Sequence, residues 1–328
     1  MSTVLIPHLG TSTPPYLVDC VEQIRLWNKD TNIFILLDPC HKGDTFWNDL
    51  QARCFVIYVY TDTLEPTLAH KAFSSAYVCD TKFRKGYWRY VVERFFYVEE
   101  VMRDLGLTDC CMIEYDVLIY TSFTELTQKL KTSHQTCRLV CDNSTRCYPS
   151  FIYVPTAEAM GKITTFIQEH VGSGLNDMEL LGKFAKERPA DLHYLPVITE
   201  ERNRSVRPRK SAVGHVEENP WYLSENADDL GVLFDSLVVG QGIGGIDPRN
   251  IGGRKSGPYA NETALYSMAE MPFQWKRSDG LWQPYLDTRP LAMIHLHCKA
   301  LKSYRSDRPD IPKDDYTVNE ILGGLVTN

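Results

Sequence analysis

The sequence contains no long apolar run. None of its 328 residues lies in a hydrophobic stretch that approaches the roughly 18 residues of a membrane-spanning helix, which excludes an integral membrane protein of the helical class. The opening segment, Met1 to Pro7, also lacks the basic start and the apolar core of a secretory signal peptide. We therefore expect a cytoplasmic protein without a membrane span.

Cysteine is too sparse for a disulfide-stabilised fold. The ten cysteines are spread over the chain and include no Cys-x-x-Cys pair. Cys137 and Cys141 are four residues apart with Cys147 nearby, but no fourth ligand follows at the spacing of a zinc site. We interpret the cysteines as reduced thiols, as is usual in the cytosol.

The sequence has no excess of basic residues. Lys and Arg number 35 against 42 for Asp and Glu, which gives a formal net charge of −7. This balance disfavours a dedicated nucleic-acid-binding protein, and we expect no nucleic-acid partner. Hydrophobic residues at 43% and charged residues at 23% are ordinary globular values and exclude a mainly disordered chain. The length predicts one large α/β domain or about two domains.

Apolar runs alternate with amphipathic stretches through the first half of the chain. The runs are rich in β-branched and aromatic residues, as in strands buried on both faces, and lie at 3–6, 32–37, 54–60 and 110–113. Between 86 and 105, apolar residues recur at steps of three and four, which predicts a helix that ends at Gly106. Further strands are predicted near 138–141 and 150–154, and helices near 157–170 and 176–186. The alternation predicts a doubly wound, mostly parallel, Rossmann-like α/β sheet.

A highly charged stretch separates this half from the rest. Residues 200–210 are highly charged and almost without apolar side chains, which predicts an exposed loop over 199–218. Ser278-Asp279-Gly280 lies between two runs that contain tryptophan and predicts a hairpin, and 291–296 predicts a final strand. We therefore expect an α/β region at 1–198, the exposed loop, and a region at 219–328, all within one continuous domain.

The first motif with chemical potential follows the strand at 110–113. Glu114 and Asp116 flank Tyr115, and in an extended segment they point to one face. Open α/β sheets bind ligands at the carboxyl ends of their strands, and two adjacent carboxylates favour a shared hard cation such as Mg²⁺ or Mn²⁺. An acidic turn without a ligand is the alternative, and the triplet by itself favours that alternative.

The second motif is His295-Leu296-His297-Cys298-Lys299. Positions 295, 297 and 299 share a face if the segment is a strand. Imidazole binds transition metals including manganese, and a lysine offers a positive charge to phosphate. Two histidines that only fill a strand are an equally good interpretation. A metal-dependent hydrolase that uses His295 and His297 is the alternative enzyme.

The third motif, Gly240 to Gly245, fits G-x-G-x-x-G by its letters. A dinucleotide site needs a helix that begins inside the motif, whereas Pro248 and the paired glycines after it stop any helix here. We therefore reject a dinucleotide site. A glycine-rich loop that holds Gln241 and Asp247 near a ligand and a plain set of turns remain equally good interpretations.

An acidic triplet at a strand end, followed far downstream by histidine and lysine on a late strand, resembles the pattern of GT-A glycosyltransferases. More narrowly, the chain resembles glycosyltransferase-like proteins of bacteria and large DNA viruses. It departs from their pattern at Glu114, where aspartate is expected, and at Cys298, where serine is expected. The matching segments span most of the chain and are 14–17, 93–96, 113–120, 176–178, 234–235 with 240–241, 244–247 and 295–299.

The resemblance implies a GT-A-like fold in which 1–198 binds a nucleotide-sugar donor and a C-terminal extension, 219–328, completes the active site. It also implies a glycan acceptor and a Mn²⁺ or Mg²⁺ ion. On this basis Asp116 and His297 bind the metal, although His295 and His297 can exchange roles. The metal would neutralise the charge that develops on the departing nucleoside diphosphate.

The resemblance further implies roles for residues around the metal. An inverting transferase needs a base near the acceptor hydroxyl. Asp177 is the first candidate for that base and Asp235 the second, and a helix N-terminal role is the alternative for Asp177. Asp38 can also be a turn cap and Arg94 a structural ion pair, and a non-catalytic sugar- or nucleotide-binding protein is the remaining alternative. The residues implied for the donor are His8, Asp38, Arg94, Glu114 and Lys299, and those implied for the acceptor are Gln241 and Asp247.

Overall fold

The computed structural model describes residues 2–78, 83–84, 86–131, 135–251 and 258–312. The strands are β1 (Thr3–His8), β2 (Asn32–Leu37), β3 (Ile57–Tyr60), β4 (Cys110–Ile113), β5 (Val117–Ile119), β6 (Cys137–Asn143), β7 (Arg146–Val154), β8 (Leu192–Tyr194), β9 (Arg209–Lys210), β10 (Val216–Glu217), β11 (Leu233–Phe234), β12 (Phe273–Ser278), β13 (Leu281–Leu286) and β14 (Arg289–His295). The α-helices are α1 (Tyr16–Trp27), α2 (Thr45–Cys54), α3 (Leu68–Ala76), α4 (Tyr87–Asp104), α5 (Phe123–Lys131), α6 (Ala157–Glu169), α7 (Asp177–Glu187), α8 (Glu200–Ser205), α9 (Ala227–Leu230) and α10 (Val238–Gly244).

The main sheet contains seven strands in the order β3-β2-β1-β4-β7-β6-β8. The β1–β2, β1–β4, β2–β3 and β6–β8 pairs are parallel, whereas β7 is antiparallel to β4 and β6. β1 and β4 are buried along their whole length, as their continuous apolar runs predicted. The prediction of a mostly parallel α/β sheet is therefore confirmed, with one antiparallel strand inserted. Among the described residues, no helix is long and apolar enough to span a bilayer.

A second sheet joins the C-terminal region to the first half of the chain. Its strands follow the order β11-β14-β13-β12, and β5 pairs with β14 in antiparallel orientation. β5 begins one residue after the acidic triplet, and its Val117 is paired with His295. The backbone N–H of Leu296 also donates to the carbonyl of Asp116 at 2.9 Å. This pairing places the end of β14 beside the triplet.

The predicted hairpin and final strand are confirmed. β12 and β13 pair from Phe273–Leu286 to Ser278–Leu281 across the turn. Asp279 and Gly280 both have positive φ angles, 51° and 81°, as the tightest hairpin turns require. The boundaries of the predicted domain regions stay a prediction, and residues 252–257 and 313–328 of the last region lie outside the described residues.

The segment 199–218 is more ordered than an exposed loop. Most of its residues are exposed, but the prediction of a loop is wrong for α8, β9 and β10. The reason is Arg209, whose buried guanidinium donates to the carbonyl of Arg202 at 2.9 Å and to the carbonyl of Leu265 at 3.3 Å. It also lies 3.2 Å from a carboxylate oxygen of Glu270. A single buried cation thus anchors an otherwise polar segment.

A buried network of charged side chains joins α3 to α4. His70 Nδ1 lies 2.8 Å from Glu100 Oε1, and its Nε2 lies 3.3 Å from Glu93 Oε1. Arg89 donates to both carboxylate oxygens of Glu93, at 2.8 and 3.0 Å. Burial opposes a charged imidazole, but the two glutamates outweigh it and raise the pKa of His70 to about 9. Burial likewise opposes ionisation of Glu93, but His70 and Arg89 lower its pKa to about 2.

We expect His70→Gln to lower the free energy of unfolding by about 3–5 kcal/mol, because it removes the cation between two buried carboxylates. The contribution of protonated His70 to the free energy of unfolding is fully present below its ordinary pKa of 6.5 and is lost as the pH rises through about 9. The contribution of Glu93 is present above 4.5 and is lost as the pH falls towards about 2. Urea unfolding of both proteins at several pH values measures these effects, and the difference between them should shrink above the folded-state pKa of His70.

His215→Gln is the matched control. His215 also lies 2.7 Å from a glutamate, Glu217, but 36% of its side chain is exposed. An exposed ion pair contributes about 0–1 kcal/mol. Equal losses in the two variants, or a His70→Gln loss that does not vary with pH, would show that the buried network carries no special stability.

Candidate active site

Three potential metal ligands converge where β4 ends. Glu114 and Asp116 follow β4, and His295 is the last residue of β14. One ligand atom from each of the three lies within 4.8 Å of the others. His295 Nε2 is 3.3 Å from Asp116 Oδ2 and 3.5 Å from Glu114 Oε2. Asp116 and His295 are buried and Glu114 is half-buried, so the three groups are largely shielded from water.

Lys299 completes this cluster from the turn after β14. The N–H of His297 donates to the carbonyl of His295 at 3.1 Å, and that of Lys299 donates to Leu296 at 2.9 Å. This tight turn, with Lys299 at a φ of 64°, brings its ammonium into contact with Asp116 Oδ2. A left-handed φ is uncommon for a residue with a side chain and is typical of functional sites.

The charges of the cluster depend on one another. Burial would raise the pKa of Asp116, but Lys299 and His295 outweigh it and hold that pKa well below its usual range. Burial would lower the pKa of His295, but Asp116 and Glu114 outweigh it and raise that pKa. The Asp116 carboxylate is therefore ionised at neutral pH.

Arg94 connects this cluster to Asp177. It lies on α4, is buried, and places Nη1 2.6 Å from Glu114 Oε1 and Nη2 2.7 Å from Asp177 Oδ2. Asp177 is the first residue of α7, but Asn176 provides the capping box with Glu179, so the helix does not need Asp177 as its cap. Burial raises the pKa of Asp177 and the Arg94 charge opposes that rise. Both predicted residues thus lie in the same site as the triplet.

His297 lies outside the metal-ligand cluster, although we expected it beside Asp116. β14 ends at His295, and His297 falls in the turn that follows. Its Nδ1 is 3.4 Å from Nε2 of Gln241, and burial together with the Lys299 charge lowers its pKa to about 4. The structure therefore places His295 in the cluster and gives no support to a hydrolase that uses both histidines as metal ligands.

The predicted acceptor residue Asp247 is paired with an arginine that the sequence did not single out. The guanidinium of Arg249 donates to both carboxylate oxygens of Asp247, at 2.6 and 3.0 Å. Arg84 lies 3.9 Å from the same carboxylate and donates to Asn250 Oδ1 at 2.6 Å. Burial would raise the pKa of Asp247, but Arg249 and the nearby Lys299 lower it. Two arginines, Arg84 and Arg249, thus lie close to the Asp247 carboxylate.

Asp235 has a structural role, and the prediction that it is a second catalytic base is not supported. It is fully buried and accepts hydrogen bonds from the backbone N–H groups of Val239 and Gly240, both at 2.9 Å, and of His295, at 3.1 Å. Both carboxylate oxygens are used in these bonds. Asp235 therefore fastens α10 to β14 and fixes the position of His295.

The glycine motif forms α10, which corrects our expectation of a loop or turns. The reason is close packing, because a Cβ at Gly240 would overlap the backbone oxygen of His295. A Cβ at Gly244 would lie 2.6 Å from Cys298 Sγ. The rejection of a dinucleotide site stands, since the helix ends inside the motif instead of beginning there. Gln241, on this helix, is held against His297 as described above.

His8 and Asp38 lie at the predicted strand ends, but both are engaged within the protein. His8 donates from Nε2 to the carbonyl of Ser12 at 2.7 Å, and burial lowers its pKa to about 4. Asp38 accepts from the backbone N–H of Gly10 at 2.6 Å and from Thr61 Oγ1 at 3.1 Å. These bonds fix the loops after β1 and β3, which shape the edge of the sheet next to the triplet.

Aromatic rings surround the charged cluster and were not predicted as part of it. Tyr115 packs against Tyr16, with ring centres 5.7 Å apart, and against His8, at 5.1 Å. Lys299 Nζ lies 5.8 Å from the ring centre of Tyr16. Periodicity along one element does not predict these contacts, because they join residues of separate segments of the chain.

Comparison with known proteins finds similarity in structure only. No family model matches the sequence, and no curated protein matches it. Similar solved structures include mouse xyloside xylosyltransferase 1, at 11% identity and a TM-score of 0.44, covering 60% of this chain and 85% of that one. Another is the galactosyltransferase LgtC with donor and acceptor sugar analogues, at 8% identity and a TM-score of 0.42, covering 62% and 77%. A third is a cytidylyltransferase from Leptospira borgpetersenii, at 10% identity and a TM-score of 0.36, covering 60% and 76%.

These similar structures include glycosyltransferases, the class that the sequence motifs resemble. Identities of 8–11% and TM-scores below 0.5 concern the general fold and do not assign a function. The functional conclusion therefore depends on the geometry of the site.

Proposed function

We propose that the protein is a metal-dependent glycosyltransferase that moves a sugar from a nucleotide-sugar donor to a hydroxyl group of a carbohydrate or glycan acceptor. The observation that carries this proposal is the cluster of Glu114, Asp116 and His295, flanked by Lys299 and Arg94, at the carboxyl end of β4. Ligands of open α/β sheets bind at such strand ends.

The residues of the cluster fit a divalent cation. Two carboxylates and one imidazole are a ligand set that suits Mn²⁺, and carboxylates also suit Mg²⁺. All three groups present an atom to a common point, and the aspartate and histidine are shielded from water. A metal held there would neutralise the charge that develops on the departing diphosphate.

Positive side chains of the protein would hold the donor diphosphate. Lys299 lies against Asp116, and its flexible side chain can share its charge between that carboxylate and a phosphate oxygen. Arg249 lies across the site on Asp247, and 61% of its side chain is exposed. A planar guanidinium can bind phosphate oxygens through two parallel hydrogen bonds. We expect these two cations together to bind the donor diphosphate next to the carboxylate cluster.

Asp177 is the proposed general base. In an inverting transfer the bond from the anomeric carbon to the diphosphate oxygen breaks, and a bond from that carbon to the acceptor oxygen forms. The acceptor proton then passes to the carboxylate of Asp177. A pKa raised by burial brings this group closer to the value that general-base catalysis favours. Arg94 holds Asp177 and Glu114 at fixed positions and is a positioning residue.

A panel of nucleoside diphosphates tests the proposal. UDP, GDP, CDP and ADP are each added with Mn²⁺, with Mg²⁺ or with EDTA, and the melting temperature is measured. We expect at least one nucleotide to raise the melting temperature only when metal is present. At a nucleotide concentration 100 times its Kd, the free energy of unfolding should increase by about 2.7 kcal/mol. The corresponding nucleotide sugars are then assayed for release of the nucleoside diphosphate. Equal stabilisation with EDTA, or none with any nucleotide, would contradict the proposal.

A further inference from the structure

A half-open cavity of about 470 Å³ lies beside the candidate active site. Its walls come from α3, α4, the end of α6, the loop before α7 and the first part of α7. Its volume is within the range of about 300–1,000 Å³ that is usual for small-molecule sites. None of the residues assigned above to the donor or the metal lines this cavity.

The walls of the cavity are mainly apolar. Phe73, Trp88, Ile167 and Leu180 are among the lining side chains, and none of the described residues that line it is charged. Two polar atoms in the wall are paired within the protein: His170 Nδ1 lies 2.8 Å from the carbonyl of Phe166, and Asn176 Oδ1 accepts from the backbone N–H of Glu179 at 3.1 Å. Burial of an apolar group against the aromatic and aliphatic side chains is favourable. The cavity therefore suits an alkyl or aryl group.

The cavity and the active site share two walls. On the first turn of α4, Trp88 lines the cavity, while its neighbour Tyr87 is close enough to Glu114 and Asp177 for their charges, with burial, to raise its pKa. At the start of α7, Asn176 lines the cavity, while the next residue, Asp177, pairs with Arg94. The wall of the cavity and the wall of the site are thus formed by consecutive residues at both places.

We propose that this cavity binds an apolar alkyl or aryl group of the acceptor and thereby holds the acceptor hydroxyl beside Asp177. The inference rests on the proposed glycosyl transfer and narrows its acceptor to an amphipathic molecule, a carbohydrate or other hydroxyl compound with an apolar substituent. Two observations favour this occupant: the aromatic and aliphatic side chains in the walls, and the sequence adjacency of the wall residues Trp88 and Asn176 to Tyr87 and Asp177 of the site.

A series of alkyl β-glucosides with one head group tests the proposal. Methyl, butyl, hexyl and octyl β-glucoside are titrated into the protein by calorimetry, each below the concentration at which it forms micelles. We expect the affinity to rise by about fourfold for each added methylene until the cavity is filled, which follows from about 0.8 kcal/mol per buried CH₂. Equal affinity for the methyl and octyl compounds would overturn the proposal.

Ala76→Trp is the variant that fills the cavity. Ala76 lines it but is itself exposed on α3, so the larger side chain displaces no buried residue. We expect a loss of at least tenfold in octyl-glucoside affinity, with an unchanged circular dichroism spectrum. Ala72→Trp is the matched control, because Ala72 is an exposed alanine of the same helix that does not line the cavity. Undiminished octyl binding by Ala76→Trp, or the same loss in Ala72→Trp, would overturn the proposal.

The same samples separate this inference from the proposed function. Metal-dependent binding of nucleoside diphosphates is measured on the wild-type protein alongside the glucosides. A chain-length dependence without any nucleotide binding would leave the cavity as an apolar site and refute glycosyl transfer. Nucleotide binding without a chain-length dependence would refute the amphipathic acceptor alone. If the wild-type protein binds no octyl glucoside, the proposal of an amphipathic acceptor is also refuted. A cavity that is filled by a chain segment or by a second copy of the protein would give this result.

Discussion

Asp116→Asn is expected to lower the affinity for a nucleoside diphosphate in the presence of Mn²⁺ by at least about 100-fold, and to make the remaining binding independent of metal. Loss of a residue that only supports a metal ligand costs about 10–100-fold, so loss of a proposed ligand should cost at least as much. The substitution keeps the size of the side chain but removes the charge that His295 and Lys299 face. Calorimetric titration with and without EDTA measures both quantities.

His297→Ala is the control for that experiment. His297 lies only two residues after His295 in the sequence, but its side chain is outside the cluster and contacts Gln241. Its substitution should leave the metal dependence in place. Because Asp116→Asn leaves the ammonium of Lys299 with one carboxylate fewer, urea unfolding of this variant is compared with that of the double variant with Lys299→Met, to measure how much stability the unpaired ammonium costs. Metal-dependent binding that survives in folded Asp116→Asn would remove Asp116 from the metal site.

Asp177→Asn is expected to lower turnover by about 10²–10⁴-fold, the range for general-base catalysis, with little change in donor affinity. Asparagine keeps an oxygen that can accept from Arg94, but it cannot take the proton of the acceptor. A base acts mainly in the transition state, so its loss leaves ground-state binding of the donor nearly intact. Steady-state kinetics with the active nucleotide sugar and calorimetry on the same samples separate the two quantities.

Glu179→Gln is the control on the same helix. Glu179 also lies in the first turn of α7, where it closes the capping box with Asn176, and it makes no ion pair with Arg94 among the described residues. Neutralising its charge should leave turnover close to that of the wild type. Turnover of Asp177→Asn that matches this control would reduce Asp177 to the ion-pair partner of Arg94.

The parts of the fold that the sequence predicts are those with strong local patterns. The strands at 32–37 and 110–113 appear with the predicted boundaries, because each is a continuous apolar run in the core. The strand predicted at 54–60 begins only at Ile57, since α2 continues to Cys54 and ends at Phe55 in a left-handed conformation. The apolar letters alone do not distinguish the end of a helix from the start of a strand.

Features that depend on distant contacts were missed. The helix at α10 forms through a glycine-rich sequence because it packs closely on β14, and no local propensity predicts that. The burial of Arg209 depends on acceptors at Leu265 and Glu270, more than fifty residues away. The charged network of His70 depends in the same way on glutamates of a different helix.

In the candidate site, too, the sequence predicts local patterns but not contacts between distant residues. The triplet and the late His-x-His-x-Lys segment are visible in the sequence, because unusual residues stand together at strand ends. The choice of His295 over His297 depends on where β14 stops, and the structural use of Asp235 depends on three backbone donors from α10 and β14. Arg249 and Arg84 both lie near Asp247, and Arg84 also donates to Asn250. The spacing of these residues in the sequence does not predict these contacts.

The ribosome finishes β5 long before it reaches β14, although the two strands pair. About 180 residues separate Asp116 from His295, and at about 5–20 residues per second their synthesis takes about 9–36 s. During that interval the emerging chain carries the carboxylates of Glu114 and Asp116 without the histidine and lysine that later face them. The cluster is therefore completed only when translation has passed Lys299, so an unfinished polypeptide has two of the three proposed metal ligands and lacks His295 and Lys299.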